Sequence, residues 1–151
     1  MAQSRADRTE PESVLVESAG DGFRQRLSDG RHELTADEPL AAGGADAGPS
    51  PYELLLMSLG ACTSMTLSMY AKRKGWPLEK VRVHLKHDRI HAEDCRDCET
   101  KEGLVDRIDR AIEMKGPLSD EQRGRLLEIA DKCPVHKTLT SEIKIVTRYL
   151  P

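Results

Sequence analysis

Near the start of the chain, apolar and polar residues alternate in three short stretches, Val14 to Glu17, Phe23 to Leu27 and His32 to Thr35. Each reads as a short strand, and the Gly20-Asp21-Gly22 and Ser28-Asp29-Gly30 clusters between them read as turns. In the middle stretch Phe23, Gln25 and Leu27 share one face while Arg24 and Arg26 share the other. A loop rich in Ala, Gly, Asp and Pro follows, from Ala36 to Pro49.

From Leu54 to Ala71 the alternation vanishes and no residue is charged. Ser50-Pro51-Tyr52-Glu53 supplies an N-cap serine, a first-turn proline and a capping-box glutamate, so a helix begins there. Lys72-Arg73-Lys74-Gly75, with Pro77 beyond, ends it. Val81, Val83 and Leu85 alternate with Arg82, His84 and Lys86, which predicts a half-buried strand. Leu104, Val105, Ile108, Ala111 and Ile112 fit one face of a helix. Ser119 to Gln122 opens another, carrying Leu126, Leu127, Ile129 and Ala130 and ending near Cys133-Pro134. Ile143, Ile145 and Thr147 predict a last strand. The order describes an α+β fold with N-terminal antiparallel strands, a long central helix, and a further strand and helices. Residues 1–10 are polar and expected to be a frayed, disordered tail, and 11–151 to form a single domain.

Of the 151 residues, 38% are hydrophobic but only 3% aromatic, so the core is aliphatic. A net charge of -3 without a Lys/Arg-rich run gives no nucleic-acid face and no membrane-surface patch. Leu54 to Ala71 reaches the lower length limit for a membrane span. Its hydroxyls (Ser58, Thr63, Ser64, Thr66, Ser68) and Gly60 favour a buried central helix instead. A helix apolar on every side needs covering all round, and in a chain this short a second copy of the same helix is an attractive cover. The N-terminus lacks the apolar stretch of a secretory signal, and four cysteines without one read as cytoplasmic thiols.

Two of those cysteines stand out. Cys62 lies inside the apolar helix, about three turns from its start and beyond reach of the helix's positive end. It either packs as an inert thiol or is reactive. If reactive, it needs a cation or donor from elsewhere in the fold, and Arg24 and Arg26 are the candidates. Cys133 precedes Pro134, which stops the helical hydrogen-bond pattern and places the thiol at an element end, where it can move.

The stretch Pro49-Ser-Pro-Tyr-Glu-Leu-Leu-Leu-Met-Ser-Leu-Gly-Ala-Cys62, with Asp131-Lys-Cys-Pro-Val-His136, closely resembles the OsmC/Ohr family of osmotically inducible and organic-hydroperoxide-resistance proteins. The resemblance runs from about Val14 to Tyr149. It implies an intertwined homodimer built on two long central helices. It also implies an antioxidant thiol peroxidase of the oxidative stress response, acting on organic hydroperoxides at the subunit interface. By the same resemblance Cys62 corresponds to the peroxidatic cysteine and Cys133 to the resolving one. A lipoyl-type dithiol would be the reductant, and no metal or organic cofactor is required. The hydroperoxide-resistance members use an arginine from the N-terminal strands and a glutamate near the helix start. Here Glu53 stands one residue out of register, with Tyr52 in the aligned place. Asp21 is near the arginine's place, so Arg24 or Arg26 would have to substitute. Glu53 is also fully explained as a helix cap.

His84, His87, His91, Cys95 and Cys98 form a second cluster. Its Cys-x-x-Cys fits half a zinc site, a redox dithiol relaying electrons to the main pair, or a solvated acidic loop with two neighbouring thiols. His136 either tunes Cys133 or caps helix-end carbonyls. A redox- or zinc-responsive binding protein on the same fold is the alternative to the peroxidase.

Overall fold

The computed structural model describes residues 13–151; the expected N-terminal tail lies outside them. The chain divides into two compact units, one ending at Leu54 and one running Leu55–Pro151.

In the first unit, β1 (Leu15–Ser18), β2 (Gln25–Ser28) and β3 (Glu33–Ala36) form an antiparallel meander. Val16 faces Leu27 and Leu27 faces Leu34, so the three expected strands pair in sequence order, each shifted by one or two residues. The turns pass through Gly20, Gly22 and Gly30 at φ of 82°, 105° and 86°, values that strain any residue with a Cβ.

The long helix α1 (Pro51–Lys74) begins where the capping box predicts. Ser50 N–H donates to Glu53 Oε2 at 2.7 Å and Glu53 N–H donates to Ser50 Oγ at 3.4 Å. Gly75, at φ 67°, ends it. Within the second unit α1 buries Leu59, Thr63, Leu67 and Ala71, a row spaced by four that forms one face. Gly60 sits on that side because a Cβ there would meet Leu85 Cδ1 at 2.8 Å. The opposite stripe, Met57, Met65 and Met69, stays exposed. Its mean hydropathy of 1.4 over eighteen residues makes α1 the one helix, among the described residues, long and apolar enough to cross a membrane.

Next come β4 (Lys80–His91) and β5 (Leu104–Lys115), an antiparallel hairpin in register from Lys80↔Lys115 to His91↔Leu104. The helix expected over 104–112 is therefore a strand. Its spacing fits both periods: Ile108, Arg110, Ile112 and Met114 form an inward row at period two, and the arginine within that row hides the alternation. Then α2 (Asp120–Ala130) opens with a capping box, Gln122 N–H to Ser119 Oγ at 3.1 Å and Ser119 N–H to Gln122 Oε1 at 3.0 Å. It ends before Cys133, which instead caps the short helix α3 (Pro134–Leu139). No strand forms at Ile143, Ile145 and Thr147: residues 142–151 are exposed and irregular. A strand needs a partner for its backbone groups, and among the described residues none lies beside this segment.

Leu67, Ala71, Leu118, Leu126, Ile129 and Ala130 form the core of the second unit, with Trp76, Val81, Ile112 and Met114 packed round them. Leu67 and Leu126 are 0% exposed. Leu126→Ala is expected to lower unfolding stability by about 2–5 kcal/mol, the cost of a buried leucine cavity. Leu127→Ala, at an exposed position, should stay within about 0.5 kcal/mol of the parent. Urea denaturation of the two variants checks this, and equal losses would contradict the packing described.

Candidate active site at two facing thiols

Cys62 and Cys133 come together from α1 and the turn before α3, both as free thiols. They lie near enough for Cys133 to act on the Cys62 thiol. Cys62 is half-buried, whereas Cys133 is fully buried. Proline at the first position of α3 sets the turn, and the Cys133 sulfur accepts the His136 backbone N–H at 3.3 Å, taking the place of a capping oxygen.

A polar chain runs behind the thiols. Thr63 Oγ1 donates its one hydrogen to the Leu59 carbonyl at 2.8 Å. Its lone pairs remain for Arg110 Nη1, which donates at 3.0 Å. Cys133 Sγ lies 3.8 Å from the same hydroxyl, so between these two the thiol is the donor. Arg110 Nη2 donates to Asp131 Oδ1 at 2.8 Å and to His136 Nδ1 at 3.2 Å. A guanidinium only donates, so Nδ1 is an acceptor here and the ring proton sits on Nε2. The Arg110 side chain is only 11% exposed. It therefore ties α1, β5, the end of α2 and α3 together around Cys133.

Burial pushes the Cys62 thiol above its ordinary range, and the neighbouring Cys133 pushes it the same way. The Val135 backbone N–H and the Thr66 hydroxyl pull against that without reversing it. Alongside lies an apolar cavity of about 780 Å³ lined by Thr66, Met69, Tyr70, Ile129 and Pro134, with Lys72 and Arg73 also on its wall. Its lining includes Thr66, whose hydroxyl acts on Cys62, and Pro134, the residue after Cys133.

Residues 43–148 match the model of a protein family described as OsmC-like protein. The chain belongs to the OsmC-like family. No curated protein sequence matches it. Solved structures do. The OsmC-like protein of Mycoplasma pneumoniae superposes with a TM-score of 0.68 at 20% identity, covering 87% of this chain and 89% of that one. The organic hydroperoxide resistance protein OsmC of Legionella pneumophila gives 0.61 at 17%, covering 85% and 89%. The organic hydroperoxide resistance protein OhrB of Bacillus subtilis gives 0.58 at 20%, again covering 85% and 89%. Identities this low carry the fold, and the mixed α+β architecture with N-terminal antiparallel strands and a long helix agrees with it.

Within this OsmC-like chain the other sequence candidates sit in the first unit. Arg26 is held between Glu33 and Glu17, the latter at 2.7 Å. Arg24, just before β2, is exposed, and its charge acts on the buried Asp37 carboxylate. Glu53 is exposed and closes the capping box. Sequence reasoning missed Arg110, Thr63 and Asp131. The available signal was an arginine on the apolar face of an alternating segment, legible only once 104–115 is read as a strand.

The second cluster resolves differently from the zinc arrangement considered for it. Cys95 and Cys98 are joined by a disulfide. His84 Nε2 bonds Glu113 Oε1 at 2.6 Å and His87 Nε2 bonds Asp106 Oδ1 at 2.8 Å, both across the hairpin. Among the described residues the candidate ligand group is Cys95, Asp97 and Cys98, with no histidine.

Proposed function

We propose that this OsmC-like protein is a cysteine-based peroxidase that reduces organic hydroperoxides in the cytoplasm. The observation that carries the reading is the pair of free thiols, Cys62 and Cys133, that the fold brings together near an apolar cavity. The Cys62 thiolate attacks the terminal peroxide oxygen, the O–O bond breaks, and the alkoxide leaves as the alcohol after taking a proton. Cys62 becomes a sulfenic acid. The Cys133 thiol condenses with it, water leaves, and a disulfide forms. A dithiol of lipoyl type then returns two electrons and two protons by exchange. The apolar lining suits an organic peroxide over hydrogen peroxide, because it receives the alkyl part. Arg24, Arg26 and Glu53 are the first unit's candidates for activating the thiolate. Arg24 ranks first, because Arg26 already serves two carboxylates and Glu53 a helix cap. Arg110 positions Cys133.

A homodimer goes with this reading. The exposed stripe Met57, Met65 and Met69, with Ile145, Val146 and Tyr149 of the irregular segment, leaves apolar surface that a second copy would cover. Sedimentation should give about twice the 16.8 kDa chain mass. Met65→Glu should shift the population toward monomer, and a monomeric parent protein would reject the dimer.

The test of function adds one equivalent of an organic hydroperoxide to reduced protein and follows peptides by mass spectrometry. A rapid Cys62–Cys133 disulfide supports the peroxidase; unchanged thiols at both positions overturn it. In Cys133→Ser the first turnover should survive while Cys62 accumulates as sulfenic or overoxidised acid. A normal steady-state rate in that variant would remove Cys133 from the resolving role.

A further inference from the structure

The Cys95–Cys98 disulfide closes the tip of the β4–β5 hairpin, where the peroxidase reading leaves it without work. The two Cα atoms are 5.5 Å apart and three positions separate the residues. A bond closing so short a loop restricts the unfolded chain less than a long-range cross-link would. The tip is also fastened without it. Ala92 N–H donates to the Gly103 carbonyl at 2.8 Å, Cys95 N–H to the Ala92 carbonyl at 3.1 Å, and Lys101 Nζ to the Cys98 carbonyl at 2.7 Å. Neither sulfur residue is buried, in contrast to Cys133. Both open onto a groove of about 520 Å³ between the tip and the strand ends, lined in part by Ile90 and Val105.

We propose that Cys95–Cys98 is a second thiol–disulfide centre, separate from Cys62 and Cys133, that exchanges electrons with a small neutral or cationic dithiol. In the exchange the dithiol's thiolate attacks one sulfur, the Cys95–Cys98 bond breaks, and a mixed disulfide forms. The dithiol's second sulfur closes its own disulfide and leaves. Two electrons and two protons end on Cys95 and Cys98. The reverse reaction, with an oxidised dithiol, restores the bond.

The charge around the groove sets the partner's class. Glu93, Asp94, Asp97, Glu99 and Glu102 surround the tip against Arg96 and Lys101, while Asp106 and Arg107 of β5 offset each other on the wall. Asp97 Oδ1 stands 3.6 Å from Cys95 Sγ. Each further negative charge on the attacking thiol is repelled by this field, so tripeptide thiols carrying carboxylates are disfavoured. The centre is also remote from the first pair within one chain. Arg110, behind Cys133, lies roughly 20 Å along β5 from Leu104 at about 3.3 Å per residue.

The test equilibrates the folded full-length protein in mixtures of reduced and oxidised dithiothreitol and quantifies each cysteine peptide by mass spectrometry. Cys95–Cys98 should open and reclose reversibly, with the same midpoint in Cys62→Ser. Dithiothreitol should open it about tenfold faster than glutathione at equal thiolate concentration in low salt, and added salt should shrink that ratio. Asp97→Asn should raise the glutathione rate. A bond that stays closed in excess dithiothreitol, one that fails to reclose, or cycling that vanishes in Cys62→Ser would each overturn the proposal. Equal rates for the two reductants at every salt would reject the partner class. Because the readout is peptide-specific, loss of peroxide reduction at Cys62 leaves this result standing.

Discussion

Replacing Cys62 by serine is expected to abolish organic hydroperoxide reduction, a loss of at least about a thousandfold in kcat/KM. The hydroxyl is a far weaker nucleophile than a thiolate at neutral pH and forms no sulfenic acid, so both the first step and the intermediate disappear. The variant should fold, since the position is half-buried and serine is close in shape to cysteine. Far-UV circular dichroism and the urea midpoint check that. A parent-like peroxide rate in a folded Cys62→Ser protein would end the peroxidase assignment. The pH dependence has a definite sign. Burial first, and then Cys133, hold the resting Cys62 thiol above its ordinary range, so it is largely protonated at neutral pH. The parent rate should climb as pH rises through and beyond the usual thiol range, with no plateau at neutrality, and the climb should vanish in Cys62→Ser. A plateau reached below neutrality would mean that an unrecognised cation lowers the thiol in the working protein. The same raised value means that folding favours the protonated form. Its share of stability is present below the unfolded thiol's range and is lost as pH rises through the folded one.

The long helix shows what a sequence transmits well. Its start rests on Ser50 and Glu53 bonding each other's backbone and its end on Gly75 in a left-handed conformation, both local events encoded within a few residues. The three N-terminal strands were legible for the same reason, because glycine turns punctuate them. Segment 104–115 was not, since its apolar spacing satisfies two periods and the choice is made by β4, which lies over a dozen residues away in sequence. Ile143, Ile145 and Thr147 alternate as a strand would, yet alternation supplies no hydrogen-bonding partner. The thiol pair followed from motif resemblance, but the residues that hold it did not. Arg110 reaches Thr63, Asp131 and His136 across distances that only the folded hairpin creates.

That arginine carries the second large effect. Arg110→Met keeps an unbranched apolar stem but removes three hydrogen bonds, leaving Asp131, the His136 Nδ1 and the Thr63 hydroxyl without their shared donor. Stability should fall by about 1–3 kcal/mol, the scale for a lost bond that strands its partners. The larger consequence is geometric. Thr63 and His136 both touch Cys133, so without Arg110 the resolving sulfur loses the two elements that fix it. A misplacement of about 1 Å is worth up to a hundredfold in a reaction between two positioned groups. The loss should fall on one step. In stopped-flow single turnovers, sulfenic acid should form on Cys62 at near the parent rate, while closure to the Cys62–Cys133 disulfide slows by about a hundredfold. Arg110→Lys should recover only part of the closure rate, since one ammonium cannot reproduce the planar fork that spans Thr63, Asp131 and His136. Equal slowing of both steps would point to general loosening of the fold, and an unchanged closure rate would show that Cys133 is held without Arg110. Either result would remove Arg110 from the resolving step.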